Sequence, residues 1–157
     1  MQARDPLLFH YCPKQVVFSK DLKSVLLAKR AGEADYDGVF SFIGGKTETT
    51  DGGLLAGLKR EKDEEIGAEA KLKICWSMSC YQTWFVKSNG KTMVLPHHVA
   101  IHTGGDIKIN PDEYSECRWV PVADIDIFEP LIGTTPAAVH AALRLLPILT
   151  DDDFDEI

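Results

Sequence analysis

GGKTETTDGGLLAGLKREKDEEIG, residues Gly44–Gly67, is the stretch from which the fold of this chain is read. It opens on a glycine pair and closes in a run of helix formers carrying Glu61, Glu64 and Glu65. At about 3.6 residues per turn, offsets of three and four place these three carboxylates on one helix face. Like charges at that spacing repel, so either the face is simply solvated or a cation neutralises it. The glycine-rich entry favours the cation. Three carboxylates facing one point suit Mg²⁺ or Mn²⁺, hard cations that take oxygen ligands and keep several waters. Leu54, Leu55, Leu58 and Ile66 form an apolar stripe beside the acidic one, so the helix docks on a core and holds its carboxylates rigidly. Lys62 interrupts that stripe, and its stem is expected along the core edge with the ammonium reaching water. Gly57 falls in the acidic arc. It is either a gap left for a ligand or second element, or a weak spot costing about 1 kcal/mol relative to alanine. Gly67 is expected as a left-handed cap.

Upstream, Met1–Lys14 reads as irregular. Gln15–Ser19 (QVVFS) and Ser24–Lys29 (SVLLAK) read as a hairpin, Arg30–Gly38 as a polar loop, and Val39–Ile43 (VFSFI) as a strand running into Gly44-Gly45. Downstream, Lys71–Val86 is β-rich and aromatic, one bent strand or two. Ser88-Asn89-Gly90-Lys91 signals a hairpin turn, because Asn-Gly accepts the positive φ of type I′. Thr92–Thr103 is its partner strand, with Pro96 expected to force an edge position or a bulge. Glu116–Pro121 is a further strand and Val122–Ile125 a single helical turn. A second helix starts at Thr135-Pro136, threonine at the cap and proline in the first turn, and stops at or before Pro147. Strands, helix, strands, helix predict an α+β (mixed α/β) fold, a mixed sheet flanked by helices. Residues 1–150 are expected as one domain and the acidic end, residues 151–157, as a disordered solubilising tail.

The chain has 157 residues, 45% hydrophobic and 26% charged, the balance of an ordinary soluble globular protein. Its net charge of −7 disfavours long nucleic acid, which needs a basic footprint, yet leaves room for a small anion held through a metal and a few local cations. No apolar run approaches a membrane span, and the first residues lack a signal-peptide pattern. Cys12, Cys75, Cys80 and Cys117 show neither zinc spacing nor a disulfide framework, which fits reduced thiols and a cytoplasmic location.

The glycine-to-glycine segment resembles the signature box of the Nudix hydrolases: glycine, five residues, Glu, seven residues, then Arg-Glu-aliphatic-x-Glu-Glu-x-Gly. Arg60-Glu61-Lys62-Asp63-Glu64-Glu65-Ile66-Gly67 matches its second half at every charged position and at the glycine. Gly45 fits the first glycine and Asp51 the first acid. Two departures stand out: eight residues separate Asp51 from Arg60, and Lys62 replaces the aliphatic residue. The resemblance implies a Nudix fold and a divalent-metal-dependent hydrolase of nucleoside diphosphates linked to another moiety. It implies that Glu61, Glu64 and Glu65 bind Mg²⁺ or Mn²⁺ with help from the Gly45 carbonyl. It further implies that Arg60 orients acidic side chains, and that Asp51 holds the loop or reaches metal through water. Gly44, Gly45, Lys46 and Phe42 are the expected substrate contacts, with Lys46 weighed against plain exposure, and Glu48 is given a loop-stabilising part. The general base is a glutamate on the helix, Glu64 or Glu65, or on the later loop, Glu113 or Glu116, with Glu113 preferred.

Other residues are read more plainly. His97 and His98 alternate across a strand and are assigned structural or surface parts rather than metal ligation. Trp76, Tyr81, Trp84 and Phe85 are expected mostly in the core, with one base-stacking residue among them as the alternative. His140 and Arg144 are placed on the surface. Two other readings compete: a Nudix-like domain that binds a nucleotide or partner without catalysis, against which the intact Glu61, Glu64 and Glu65 argue, and a same-fold isomerase, for which no cysteine–histidine–glutamate site can be assembled. The expected partner is a small nucleotide-derived substrate, preferably a nucleotide sugar or a free nucleoside polyphosphate. A homodimer is compatible with the sequence.

Overall fold

The computed structural model describes residues 3–32 and 35–157. The polar loop expected across Arg30–Gly38 therefore contains two positions, 33 and 34, outside the described residues, as positions 1 and 2 are for the irregular N-terminus. Nine strands join one mixed sheet: β1 (His10–Tyr11), β2 (Lys14–Phe18), β3 (Ser24–Arg30), β4 (Phe40–Ser41), β5 (Lys71–Ile74), β6 (Tyr81–Val86), β7 (Thr92–Gly104), β8 (Tyr114–Pro121) and β9 (Asp155–Glu156). Two helices, α1 (Leu54–Ile66) and α2 (Thr135–Leu145), cover its two faces.

Alternation along the strands separates the two cores. Val16, Phe18, Phe40, Phe42, Val99 and Val120 point to one face and pack against Ala138, Val139 and Ala142 of α2. Val17, Leu26, Ile43, Leu72, Ile74 and Ala100 point to the other and receive Leu58 and Ile66 of α1. The helix thus docks by the stripe that the spacing of its leucines and isoleucine dictates, with Leu54 and Leu55 at the margin.

β7 is the spine. It pairs in parallel with β1 and β2 on one side and antiparallel with β5 and β6 on the other. Pro96 therefore sits neither at an edge nor in a bulge, contrary to expectation. The pairing Tyr11↔Val94 and Lys14↔His97 keeps one offset through both short strands, which puts Pro13 beside Pro96. Cys12 N–H still donates to the Val94 carbonyl at 2.8 Å. Where the two prolines meet, the ladder lacks donors and is interrupted without losing register. The hairpin expected at Asn89-Gly90 forms and joins β6 to β7, but the turn is not type I′: Gly90 alone has positive φ, 82°, and its N–H donates to the Lys87 carbonyl at 2.9 Å. Lys71–Val86 resolves into two strands, β5 and β6.

Three further expectations are corrected. Gly67 carries φ 92° with ψ 151°, a positive-φ but extended ending rather than a left-handed cap. The α2 cap residue is Thr134, without a side-chain cap bond, while Thr135 is buried as the first helical residue. The acidic tail is ordered: β9 pairs with β5, Ile157 exchanges backbone hydrogen bonds with Leu72 at 2.9 and 3.0 Å, and its side chain is 6% exposed. Composition suggested solvation, but one terminal isoleucine and Phe154 give the segment apolar surface to bury.

Candidate active site

The sheet, the loop after Ile43 and the C-terminal half of α1 enclose a cleft of about 660 Å³. Gly44 opens it. Its φ is +129°, and a Cβ there would lie 2.2 Å from the Pro13 carbonyl oxygen, so only glycine lets the backbone pass the start of β2 this closely. At Gly45 a Cβ would lie 2.2 Å from Glu61 Oε2, so the bare backbone rests directly on that carboxylate. The glycine pair is thus needed on both sides, against β2 and against α1.

The carboxylates of α1 are not equivalent. Glu65 is buried and turned toward the sheet: Gly44 N–H donates to its Oε2 at 2.6 Å and the Tyr114 hydroxyl to its Oε1 at 2.8 Å. Burial pushes its pKa up to about 7, against the pull of Lys14 and of these two donors. The Glu61 side chain is 14% exposed and its pKa is likewise raised by burial, opposed by Arg60. Glu64, at 53%, faces solvent.

Arg60 ties this face together. Its guanidinium donates to both oxygens of Asp51, to Glu61 Oε1 at 2.8 Å, to Glu64 Oε2 at 3.1 Å and to the Lys46 carbonyl at 3.0 Å. A planar fork with five donors is suited to this task. Asp51 also accepts the Glu48 N–H at 2.7 Å, and the Arg60 hydrogen bonds hold its pKa down to about 2. Gly57 belongs to the same arrangement, because a Cβ there would lie 2.8 Å from Asp51 Oδ2. It is the gap for a second element, and that element is the loop carboxylate.

Among the described residues no three histidine, cysteine or acidic side chains converge as they would around a metal ion. The expectation of three carboxylates facing one point is therefore corrected: Arg60 stands between Glu61 and Glu64, and Glu65 is drawn inward by Gly44 and Tyr114. The donor set still fits a hard divalent cation. Glu61 Oε2 and Glu64 Oε1 accept no hydrogen bond among the described residues, and the Gly45 backbone abuts the former.

Gly44, Gly45, Lys46, Glu48, Arg60, Glu61, Glu64, Glu65 and Glu113 all line the cleft. Phe42 does not; it is buried on the α2 side with its ring edge-on to His97, while Ser41, one residue earlier, faces the cleft. Glu116 also lies outside the cleft, paired with Arg118. Spacing alone did not reveal Lys14, which is 6% exposed and donates from Nζ to the Gly44 carbonyl at 2.6 Å. Burial lowers its pKa, opposed by nearby acidic groups including Glu65 and Glu61. Trp84 was expected in the core and is instead 57% exposed on β6, lining the cleft with Phe85 and Tyr36, whose rings meet edge to face at 5.4 Å. His97 and His98 are buried and bonded to backbone carbonyls; burial lowers the pKa of His97 to about 4, so it is a neutral packing residue at ordinary pH.

A mixed sheet between two helices, with a glycine turn delivering the backbone onto a carboxylate-bearing helix, is the frame on which the cleft is built. The profile of the NUDIX domain matches residues 15–141, and the chain belongs to that family. Solved structures agree in fold. A MutT NUDIX hydrolase from Burkholderia pseudomallei superposes with TM-score 0.67 at 21% identity, covering 86% of this chain and 98% of that one. The NUDIX domain of Shewanella oneidensis NrtR, complexed with ADP ribose, gives 0.68 at 20%, covering 91% and 94%. A C. elegans Ap4A hydrolase in a binary complex gives 0.69 at 16%, covering 89% and 99%. No curated protein matches the chain.

Proposed function

We propose that the protein is a divalent-cation-dependent pyrophosphohydrolase that cleaves a nucleoside diphosphate linked to another moiety, a nucleotide sugar or a nucleoside polyphosphate being preferred. One observation carries this reading: the glycine turn, the α1 carboxylates and Glu113 line one cleft together with Phe85 and Trp84 of β6, the latter with an exposed ring. An anhydride laid across the α1 face would leave its nucleoside beside that ring, and an aromatic face stacks on any base. The NUDIX domain of NrtR complexed with ADP ribose and the Ap4A hydrolase make nucleotide-derived ligands the natural class to test.

Glu61 and Glu64, with the Gly45 carbonyl, would hold Mg²⁺ or Mn²⁺. Glu65, engaged by the Gly44 N–H and the Tyr114 hydroxyl, would stand behind this pair and hold the glycine turn in place. When bound, the cation neutralises charge that develops on the phosphoryl oxygens. Arg60 keeps Glu61 and Glu64 oriented, anchored at its other end by Asp51. Glu113, at the cleft wall in the turn before β8, is the candidate general base: it takes a proton from water as the water oxygen bonds to phosphorus and the bridging oxygen leaves. Lys46 is exposed beside the glycine pair and is placed to meet a phosphate.

The test is a panel of nucleotide sugars, dinucleoside polyphosphates, ADP-ribose and nucleoside triphosphates, incubated with Mg²⁺ or with EDTA. The expected product is a nucleoside monophosphate, formed only with the metal. A panel without turnover, or turnover undiminished in EDTA, would contradict the reading.

A further inference from the structure

The Gly44 peptide is gripped from two directions. Its N–H goes to Glu65 on α1, and its carbonyl accepts the Lys14 ammonium at the start of β2, each at 2.6 Å. Lys14 is almost wholly enclosed, an uncommon place for a lysine, since burying an ammonium is costly without compensating charge. The compensation comes from the carboxylates of Glu65 and Glu61, with Arg30 opposing. Glu61 is also the carboxylate that rests on the Gly45 backbone. A glycine carbonyl with carboxylates near it is the kind of oxygen set a divalent ion takes, and here the Lys14 amino group already occupies the Gly44 carbonyl.

We propose that Lys14 is a built-in cation of the site: its ammonium takes the place of one divalent ion beside Gly44, limiting the number of ions that the cleft accepts. A metal entering next to it meets like-charge repulsion, and one lone pair of the Gly44 carbonyl is already engaged. Charge that other cations would bring from solution is supplied by the chain, where it costs no binding entropy. The inference rests on the reading of Glu61 and Glu64 as cation-binding carboxylates.

The experiment is a Mn²⁺ titration of the full chain, following free Mn²⁺ by electron paramagnetic resonance, for wild type and for Lys14→Met, Lys14→Gln and Lys14→Arg. Methionine keeps the length without charge. Glutamine keeps a donor for the Gly44 carbonyl without charge, and arginine keeps the charge. Both neutral variants are expected to bind an additional Mn²⁺ per chain, or to bind Mn²⁺ about tenfold tighter, while Lys14→Arg follows wild type. Melting curves identify any variant that does not fold, and either neutral variant suffices for the comparison with Lys14→Arg. Unchanged or weaker binding in the neutral variants, binding by none of the proteins, or a gain confined to Lys14→Met would overturn the proposal. The nucleotide panel reports separately on hydrolysis, so a protein inactive on the panel that gains Mn²⁺ on losing Lys14 keeps this inference and loses the enzymatic reading.

Discussion

Arg60 and Asp51 are joined by two hydrogen bonds, Nε to Oδ1 at 2.6 Å and Nη2 to Oδ2 at 3.0 Å. The pair fixes the loop before α1 to the helix and leaves Nη1 to orient Glu61 and Glu64. Lysine has one point donor and cannot span these groups. Arg60→Lys should therefore lower kcat by about 10- to 100-fold, the usual cost of losing a partner that orients metal ligands, with the fold retained. Steady-state kinetics and a melting curve check both parts. A kcat within twofold of wild type would show that the fork does not matter.

Gly57→Ala separates close packing from helix propensity. In an open helix the change stabilises by up to about 1 kcal/mol. Here the added Cβ would lie 2.8 Å from Asp51 Oδ2, which is held by Arg60 and the Glu48 N–H and has little room to retreat. The variant should show no gain in Tm and a clear loss of kcat. A higher Tm with unchanged kcat would contradict the account.

Glu65 should make the metal-free protein less stable as pH rises. Its folded pKa, near 7, lies above the unfolded value of about 4.3, so between these limits the native state holds a proton that the unfolded state has released. Stability is fully present below that window and falls through it, by up to about 4 kcal/mol. In EDTA, Tm should drop from pH 4.5 to pH 7.5 in wild type and drop less in Glu65→Gln. Parallel curves for the two proteins would refute the assignment.

Trp84→Ala should raise KM more than it lowers kcat, because the ring is proposed to hold the base and not the reacting phosphorus. About 1–3 kcal/mol per stacked base predicts a 5- to 150-fold rise. Quenching of tryptophan fluorescence by added nucleoside monophosphate, absent in the variant, gives an independent reading.

The tail offers a purely structural prediction. Removing Phe154–Ile157 strips one buried isoleucine, a strand pairing and the ring beneath the Lys73 ammonium at 4.9 Å. Burial of one such side chain is worth about 1.5–3 kcal/mol, so Tm should fall by about 5 °C or more. An unchanged Tm would restore the view of the tail as a solvated end.

Much of this was legible from residue order because it is local. The helix α1, the hairpin at Asn89-Gly90 and the shared face of Glu61 and Glu64 follow from periodicity, turn chemistry and spacing, and the grouping of Gly45 and Arg60 with them from the resemblance to the Nudix box. What escaped depends on distant segments meeting. Lys62 fits its helix position by burying the whole side chain, 0% exposed, with Nζ donating to the Ala70 carbonyl at 2.8 Å and paired with Asp63; a pattern of helix faces cannot foresee that acceptor. Lys14 reaches Gly44 only because β2 passes the glycine turn. Ser41 rather than Phe42 meets the cleft because strand alternation leaves open which face lies toward it. Trp84 stays exposed because β6 pairs with β7 alone and so runs at an edge of the sheet.

The most direct test of the central claim compares wild type with Glu64→Gln on the best substrate of the panel, under saturating Mg²⁺. Glu64 is solvent-facing, so the variant should fold and melt as wild type does. The predicted result is a loss of about 10²-fold or more in monophosphate release, the scale expected when one group stabilising the transition-state charge is removed. Full activity in Glu64→Gln, or ligand binding by both proteins with hydrolysis by neither, would contradict it.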